Sequence, residues 1–169
     1  MKKILISLLF FLFFTSHSYA CSLLTVSIGT SITTAENILD FLRNYNAEIF
    51  GKKTVRYSTN AIDYCEGSSL ENADLEVLVY DSKVVGINVI SSDSEIKNEI
   101  YEFVKNKIGD PGEEVKSDNW TGYKNLSIGS LIMMYSKMEI LGDVFEVLEI
   151  TNSEMIDYRS DERVIDMMG

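Results

Sequence analysis

The amino-acid sequence predicts an α+β domain made of two similar halves, each a helix followed by a small antiparallel sheet. Two observations support this fold class. Apolar and polar residues alternate in short stretches bounded by turn residues, which is the pattern of half-buried strands. Two amphipathic segments, 38–44 and 100–106, match in character at nearly every position and lie 62 residues apart. Such halves can join edge to edge, giving one continuous sheet with both helices on one face.

Residues 1–20 have the three parts of a secretory signal peptide. Two lysines follow the first methionine, 4–14 is an apolar run, and 18–20 is a small-x-small cleavage site. The apolar run is short for a membrane span, which needs about 20 residues; an uncleaved anchor helix is the alternative. The sequence therefore predicts a protein exported to the periplasm or secreted, with one domain over 21–169 and no transmembrane segment in the mature chain.

The first half is predicted to cover residues 22–91. It begins with a strand over 22–32, where β-branched residues are frequent. A helix follows from Thr33 or Thr34, either of which can cap it, to about Asn46. A polar loop is expected over 67–72. Further strands are predicted at 54–57, 61–65, 75–80 and 84–90, and the last two form a hairpin around the turn 81–83.

The second half is predicted to cover residues 92–152 and repeats this order. A capping box over 92–95 begins a helix that Gly109 and Pro111 end. The apolar positions of both helices that should pack on the sheet are Ile38, Phe41, Leu42, Ile100, Phe103 and Val104. Strands are predicted at 120–126, 130–138 and 144–151, with a longer hairpin connection around 139–143 and a polar tail over 153–169. The alternative is that the two amphipathic helices match by chance.

Two segments carry a resemblance to a known module. Val26-Ser27-Ile28-Gly29-Thr30-Ser31, the helix after it, and 75–90 with its Tyr-Asp-Ser-Lys-Val-Val-Gly turn resemble SmpA/OmlA-type outer-membrane lipoproteins. Secreted β-lactamase inhibitor proteins are similar, with two such α/β modules in tandem. The resemblance covers about 26–151 in outline. Gly51-Lys52-Lys53 replaces the usual Gly-x-Pro after the first helix, whereas Gly109-Asp110-Pro111 matches it. The resemblance implies a fold and a binding role, and no catalytic residue.

The composition of the mature chain argues against most enzyme classes. His17 is the only histidine and leaves with the leader, which excludes the usual Ser-His-Asp and Cys-His mechanisms and makes catalytic zinc very hard to build. The standard phosphate-binding and calcium-binding loops do not occur in the sequence. We therefore predict a protein that is not an enzyme and has no cofactor or metal. A glycoside hydrolase that uses carboxylates alone is a distant alternative.

Acidic residues dominate the mature chain. Loss of the two leader lysines leaves 13 basic against 26 acidic side chains. This charge repels nucleic acid and anionic membranes and favours a basic protein partner. The acidic stretches are 63–81 and 139–166, and the alternative is that they only solvate the surface. The residues predicted to bind the partner are Trp120 and Tyr123 as anchors and Glu146, Glu149 and Glu154 as rim charges. Trp120 packed under the second helix is the alternative for that residue.

Two cysteines remain in the mature chain, and they separate two functional hypotheses. Cys21 and Cys65 are predicted to form a disulfide in an oxidising compartment. The alternative is lipid acylation of Cys21, which the preceding residues fit poorly. The leading hypothesis is an exported inhibitor or immunity-type protein that masks a basic partner. Its rival is a structural or assembly factor of the cell envelope, anchored by a lipid at Cys21.

Overall fold

A computed structural model describes residues 21, 26–43, 47–50, 54–91, 97–117 and 119–158, with 47–50 described by their backbone alone. The predicted leader lies outside these residues. The fold is α+β, as predicted, with short helices and one antiparallel sheet. Within the described residues the sheet has seven strands: β1 (Ala47–Phe50), β2 (Thr54–Asn60), β3 (Ala73–Tyr80), β4 (Lys83–Ser91), β5 (Gly122–Ile128), β6 (Leu131–Ile140) and β7 (Asp143–Asn152).

Two-residue turns close the hairpins. Asp81 and Ser82 join β3 to β4 with φ of 46° and 63°, and Leu141 and Gly142 join β6 to β7 with φ of 56° and 97°. Positive φ at both central residues matches the right-handed twist of the flanking strands, so such turns set the register of a hairpin. The longer connection predicted around 139–143 is wrong, because β6 and β7 continue through those positions and turn tightly.

The sheet order is β1-β2-β3-β4-β7-β6-β5, and every neighbouring pair is antiparallel. The centre is the pairing of β4 with β7, where Ile87 lies opposite Ile150 and Ile90 opposite Val147. This pairing joins two parts of the chain that are about 60 residues apart in sequence. The predicted strands 75–80, 84–90 and 144–151 lie inside observed strands, and 130–138 matches β6 except at Ser130, which lies in the preceding turn.

In the first half, the observed structure differs from the predicted first strand, first helix and strand 61–65. The described part of the predicted strand 22–32 is irregular, and only Ser31 makes a β-bridge, to Lys83. The helix expected to run to about Asn46 is α1 (Ile32–Ala35), capped by the Ser31 hydroxyl, followed by a separate 3-10 turn (Asp40–Arg43). The predicted strand 61–65 is instead α2 (Ile62–Cys65), because the Asn60 side chain accepts the Ile62 N–H at 2.9 Å and begins a helical turn.

The helix of the second half is α3 (Glu99–Lys107). Its predicted capping box lies outside the described residues. At its other end the Gly109 N–H donates to the Val104 carbonyl at 2.9 Å, so the predicted end of the helix is confirmed. Among the described residues, no helix is long and apolar enough to cross a membrane.

One hydrophobic core lies between the helices and one face of the sheet. Tyr135, Leu148, Val89 and Leu75 follow one another across four strands, and all four are buried. Five of the six predicted core positions on the helices are also buried: Phe41, Leu42, Ile100, Phe103 and Val104. Ile38 is exposed, because the chain leaves the helix after α1 and turns this side chain outward.

Candidate functional site: the outer face of the sheet

The second face of the sheet, here called the outer face, carries the side chains that alternate with the core positions. Strand pairing aligns them in rows, because cross-strand neighbours share a face. One row is Tyr123, Ser136, Val147, Ile90, Asp74 and Asn60; the next is Asn125, Met134, Glu149, Asn88, Glu76 and Ser58; Met138 and Phe145 form a third pair. The described helices pack on the opposite face.

The β5–β7 end of the outer face presents apolar side chains to solvent. Tyr123 is 64% exposed and Met138 is also exposed, while Met134 and Phe145 are half-buried. A tyrosine offers a large, stiff apolar surface with a polar tip, which is the chemistry of a contact anchor. This end of the face is therefore suited to contact another protein.

The β3 strand adds carboxylates to the outer face. The Glu76 carboxylate lies 3.8 Å from Nη1 of Arg56 and accepts the Asn88 amide at 3.0 Å. Burial raises the pKa of Asp74 above its ordinary value, and the nearby charge of Glu76 raises it further. A cation placed beside Asp74 would relieve this repulsion and lower the pKa of the carboxyl.

We expect Asp74→Asn to raise the free energy of unfolding at about pH 7 by less than about 1 kcal/mol, because solvent screens the charge of this exposed residue. The raised pKa means that ionised Asp74 destabilises the fold above that pKa. This penalty disappears as pH falls below the unfolded value, near about 4. Thermal unfolding at neutral and acidic pH tests this, with Asp81→Asn as the control for loss of one charge. A gain in stability from Asp74→Asn that persists unchanged at about pH 3 contradicts this prediction.

The two predicted anchors lie on different sides of the sheet. Tyr123 is on the outer face, whereas Trp120 precedes β5 and packs against the core. The Trp120 ring stacks on Tyr135 with centroids 6.4 Å apart and an interplanar angle of 11°. The placement of Trp120 matches the alternative of packing near the second helix, and the two residues do not form one contact patch.

Glu146 is a correction to the predicted set of rim charges. It is 3% exposed, because even-numbered positions of β7 face the core. Its carboxylate accepts the N–H groups of Ile100 and Tyr101 at 3.2 Å each, at the N-terminus of α3, and the Tyr135 hydroxyl at 2.6 Å. Glu146 therefore caps the helix from the neighbouring strand, which is a structural role.

The surroundings of Glu146 are polar and enclosed. Its strand neighbour Lys137 is buried and donates to the Asn98 side chain at 3.0 Å. Burial raises the pKa of Tyr135 far above its ordinary range, and the charge and hydrogen bond of Glu146 add to the effect. The alternation of Glu146 with Leu148 and Ile150 is the sequence signal that could have placed it inside.

The other two predicted acids lie at the surface. Glu149 is half-buried on the outer face, in the row next to that of Tyr123, so the structure brings these two predicted residues to one surface. Glu154 is exposed in the turn after β7, where its N–H donates to the Asn152 side chain at 3.1 Å. Within the described part of the chain, no group of three carboxylates, cysteines or histidines is placed to hold a metal ion.

The predicted disulfide is confirmed. Cys21 and Cys65 are bonded, with Cα atoms 4.2 Å apart, and both are buried. Because its sulfur is bonded to Cys65, Cys21 cannot carry the thioether-linked lipid of the alternative. A disulfide is expected in an exported protein rather than in a reducing cytosol.

Comparison with known proteins assigns no family. No family model matches the chain, and no curated protein matches it. A solved structure of a cysteine-rich secretory protein from Staphylococcus aureus is similar over 76% of this chain, at 12% identity and a TM-score of 0.40. The chain spans 44% of that protein, which is less than half of its length. This likeness is too weak to assign a function.

Proposed function

We propose that the protein is an exported, acidic protein-binding module of the inhibitor or immunity type, which masks a basic partner. The observation that carries the proposal is the outer face, where exposed Tyr123 and Met138 accompany the carboxylates of Asp74, Glu76 and Glu149. Apolar anchors supply contact energy, and surrounding acids select a basic partner. The proposal assigns no catalytic activity.

Net charge supports the choice of partner. The full sequence carries a formal charge of −11, and removal of the predicted leader makes it more negative. Opposite charge on a partner raises the rate of encounter by roughly ten- to a thousandfold at low salt. The same field repels nucleic acids and anionic membranes, so a basic protein is the partner that fits best.

A duplicated architecture is part of the same proposal. The sheet order supports it, because β2-β3-β4 and β5-β6-β7 run outward in opposite directions from the central β4–β7 pair. A helical segment precedes each set of three strands, and the matching segments 38–44 and 100–106 lie in or near these helical segments. Two joined modules give an outer face with exposed Tyr123 towards one edge and exposed Asp74 towards the other, whereas Ser136 and Val147 between them are buried.

The alternatives from other functional classes have less support. An assembly factor anchored at Cys21 would need a free sulfur there, and the disulfide occupies it. A glycoside hydrolase would need an acid and a base facing each other across a substrate. Asp74 and Glu76 instead lie side by side on one strand of the outer face.

We expect the double change Glu149→Lys and Glu154→Lys to slow association with the partner by roughly tenfold at low salt and to flatten its salt dependence. Affinity capture from native envelope extract, followed by mass spectrometry, identifies the partner. Stopped-flow mixing with the purified partner at low and high salt then measures the rate. Glu146 is left out of the set, because its buried carboxylate caps α3 and its loss is expected to destabilise the fold.

The control is Glu36→Lys with Glu66→Lys, which changes the charge equally beside α1 and α2, at one half-buried site and one exposed site respectively. This pair should slow association less, since it is remote from the outer face. Association that is fast and insensitive to salt for the unaltered protein contradicts the proposal. The acidic surface would then serve solubility alone.

A further inference from the structure

The end of the β6–β7 hairpin extends beyond the described parts of the neighbouring strands. β5 begins at Gly122, opposite Lys137, and the pairing of β4 with β7 reaches Ile90 opposite Val147. Residues 138–145, here called the hairpin tip, therefore have no described strand beside them, although they pair with each other. A two-stranded extension of this kind presents its turn to a partner before the rest of the sheet makes contact.

The turn of the hairpin tip is built from an unusual residue. Leu141 is 101% exposed and adopts φ of 56°, a region that leucine rarely occupies. The described turns at the other end of the sheet use Asp81 with Ser82 and Gly129 with Ser130, which are ordinary turn formers. Leu141 thus contributes no buried contact to the fold and disfavours its own backbone conformation. An outlier of this kind points to a function outside folding.

The charged residues beside Leu141 limit the kinds of partner that it can contact. Ile140 is exposed beside it, and the exposed acids Glu139 and Asp143 flank the apolar pair. Anionic lipid surfaces repel such a tip. A second copy would bring like charges together, which costs binding energy. An apolar pocket with lysine or arginine at its rim would bury the leucine side chain and place positive charge beside the carboxylates.

We propose that Leu141 is a binding anchor, which enters an apolar pocket of the partner protein while Glu139 and Asp143 meet basic residues at the rim. This inference rests on the proposed function, and it adds the contacting element and the chemistry of the partner's pocket. It also extends the contact region of the outer face, because the hairpin tip continues from Met138 to the turn at Leu141. Buried anchors mainly determine how slowly a complex dissociates, whereas rim charges mainly determine how fast it forms.

The test uses the full chain with Leu141→Asn. Asparagine tolerates positive φ, so the thermal midpoint should stay equal or rise, which separates binding from folding. With the partner purified, Leu141→Asn should speed dissociation by at least roughly tenfold and leave the salt dependence of association unchanged. Asp81→Asn, at the same turn position in the β3–β4 hairpin, is the control and should change neither rate.

A second measurement locates the contact. Photoreactive p-benzoylphenylalanine at 141, and separately at 81, is irradiated with the purified partner, and the crosslinked peptides are mapped. We expect crosslinks from 141 alone, to a pocket of apolar residues bordered by lysine or arginine. Crosslinks from 141 to a second copy, or none above the level at 81, overturn the inference. So does a lower thermal midpoint for Leu141→Asn.

Two outcomes separate this inference from the proposed function. If the partner associates with salt-dependent kinetics but its dissociation rate is not changed by Leu141→Asn, the inference fails and the proposed function stands. If no protein associates with the unaltered chain in a salt-dependent way, both fail. Phosphatidylcholine vesicles provide a further check, because binding of the hairpin tip to them would assign Leu141 to a membrane instead.

Discussion

Glu146→Ala is expected to lower the free energy of unfolding by about 3–5 kcal/mol. The buried carboxylate accepts two backbone N–H groups of α3 and the Tyr135 hydroxyl. Alanine leaves all three donors without their acceptor in a site that water does not freely reach, and each costs about 1–3 kcal/mol before the structure relaxes. Lys137, which is buried, also loses the opposite charge of its cross-strand partner.

Urea unfolding followed by circular dichroism measures this effect. Glu149→Ala is the matched control, since it removes the same side chain from the same strand on the outer face. The control should change stability by less than about 1 kcal/mol. Glu146→Gln should fall between the two, because its amide oxygen accepts but its amide nitrogen does not. Equal losses for Glu146→Ala and Glu149→Ala would show that the helix does not depend on this carboxylate.

This result bears on how the acids of the protein are tested for binding. Glu146→Lys would place a second ammonium beside Lys137 inside the core, so slower binding by that variant would report unfolding. Glu149 and Glu154 lie at the surface and can be reversed without that effect. The three acids look alike in the sequence, but Glu146 is buried and has a structural role, whereas Glu149 and Glu154 lie at the surface and remain candidates for partner binding.

Local patterns predicted the β3–β4 hairpin well. Strands 75–80 and 84–90 were predictable, because alternation and the Asp81-Ser82 turn are properties of adjacent residues. Helical spacing also identified Ile100, Phe103 and Val104 as core positions, but it missed Tyr101, which is buried in the same core. The same spacing misled at 33–46, where core contacts are made by a four-residue helix and a separate 3-10 turn. Helical periodicity predicts which side chains face the core. It does not establish that the backbone remains helical between them.

Features that depend on distant residues were not predictable from local patterns. The capping of α3 by Glu146 joins positions 45 and 46 residues apart. Trp120 and Tyr123 appear together in sequence, but only Tyr123 lies within β5, so their side chains lie on different sides of the sheet. Leu141 was missed because a longer loop was expected at 139–143, and exposure in a tight turn gives leucine no periodic signal.

Removing the disulfide with Cys21→Ala and Cys65→Ala together is expected to lower the free energy of unfolding by about 4 kcal/mol. The bond closes a loop with a sequence separation of 44, so the oxidised unfolded chain has far fewer conformations than the reduced one. Both cysteines are buried in the core cluster, and alanine at each leaves a small void that adds to the loss. The effect should appear as a lower urea midpoint.

The unaltered protein in reductant is the matched comparison, since it lacks the bond but keeps both sulfur atoms. Its midpoint should lie close to that of the double variant, and the difference between them isolates the packing of the two side chains from the cross-link. Without reductant, native protein should show no thiol that reacts with a maleimide, and its mass should be lower by the two thiol hydrogens. An acylated Cys21 in protein isolated from envelopes, or a double variant as stable as the oxidised protein, contradicts the prediction. The first of these outcomes would also restore the lipid-anchored assembly factor, because a sulfur that holds a lipid cannot hold Cys65.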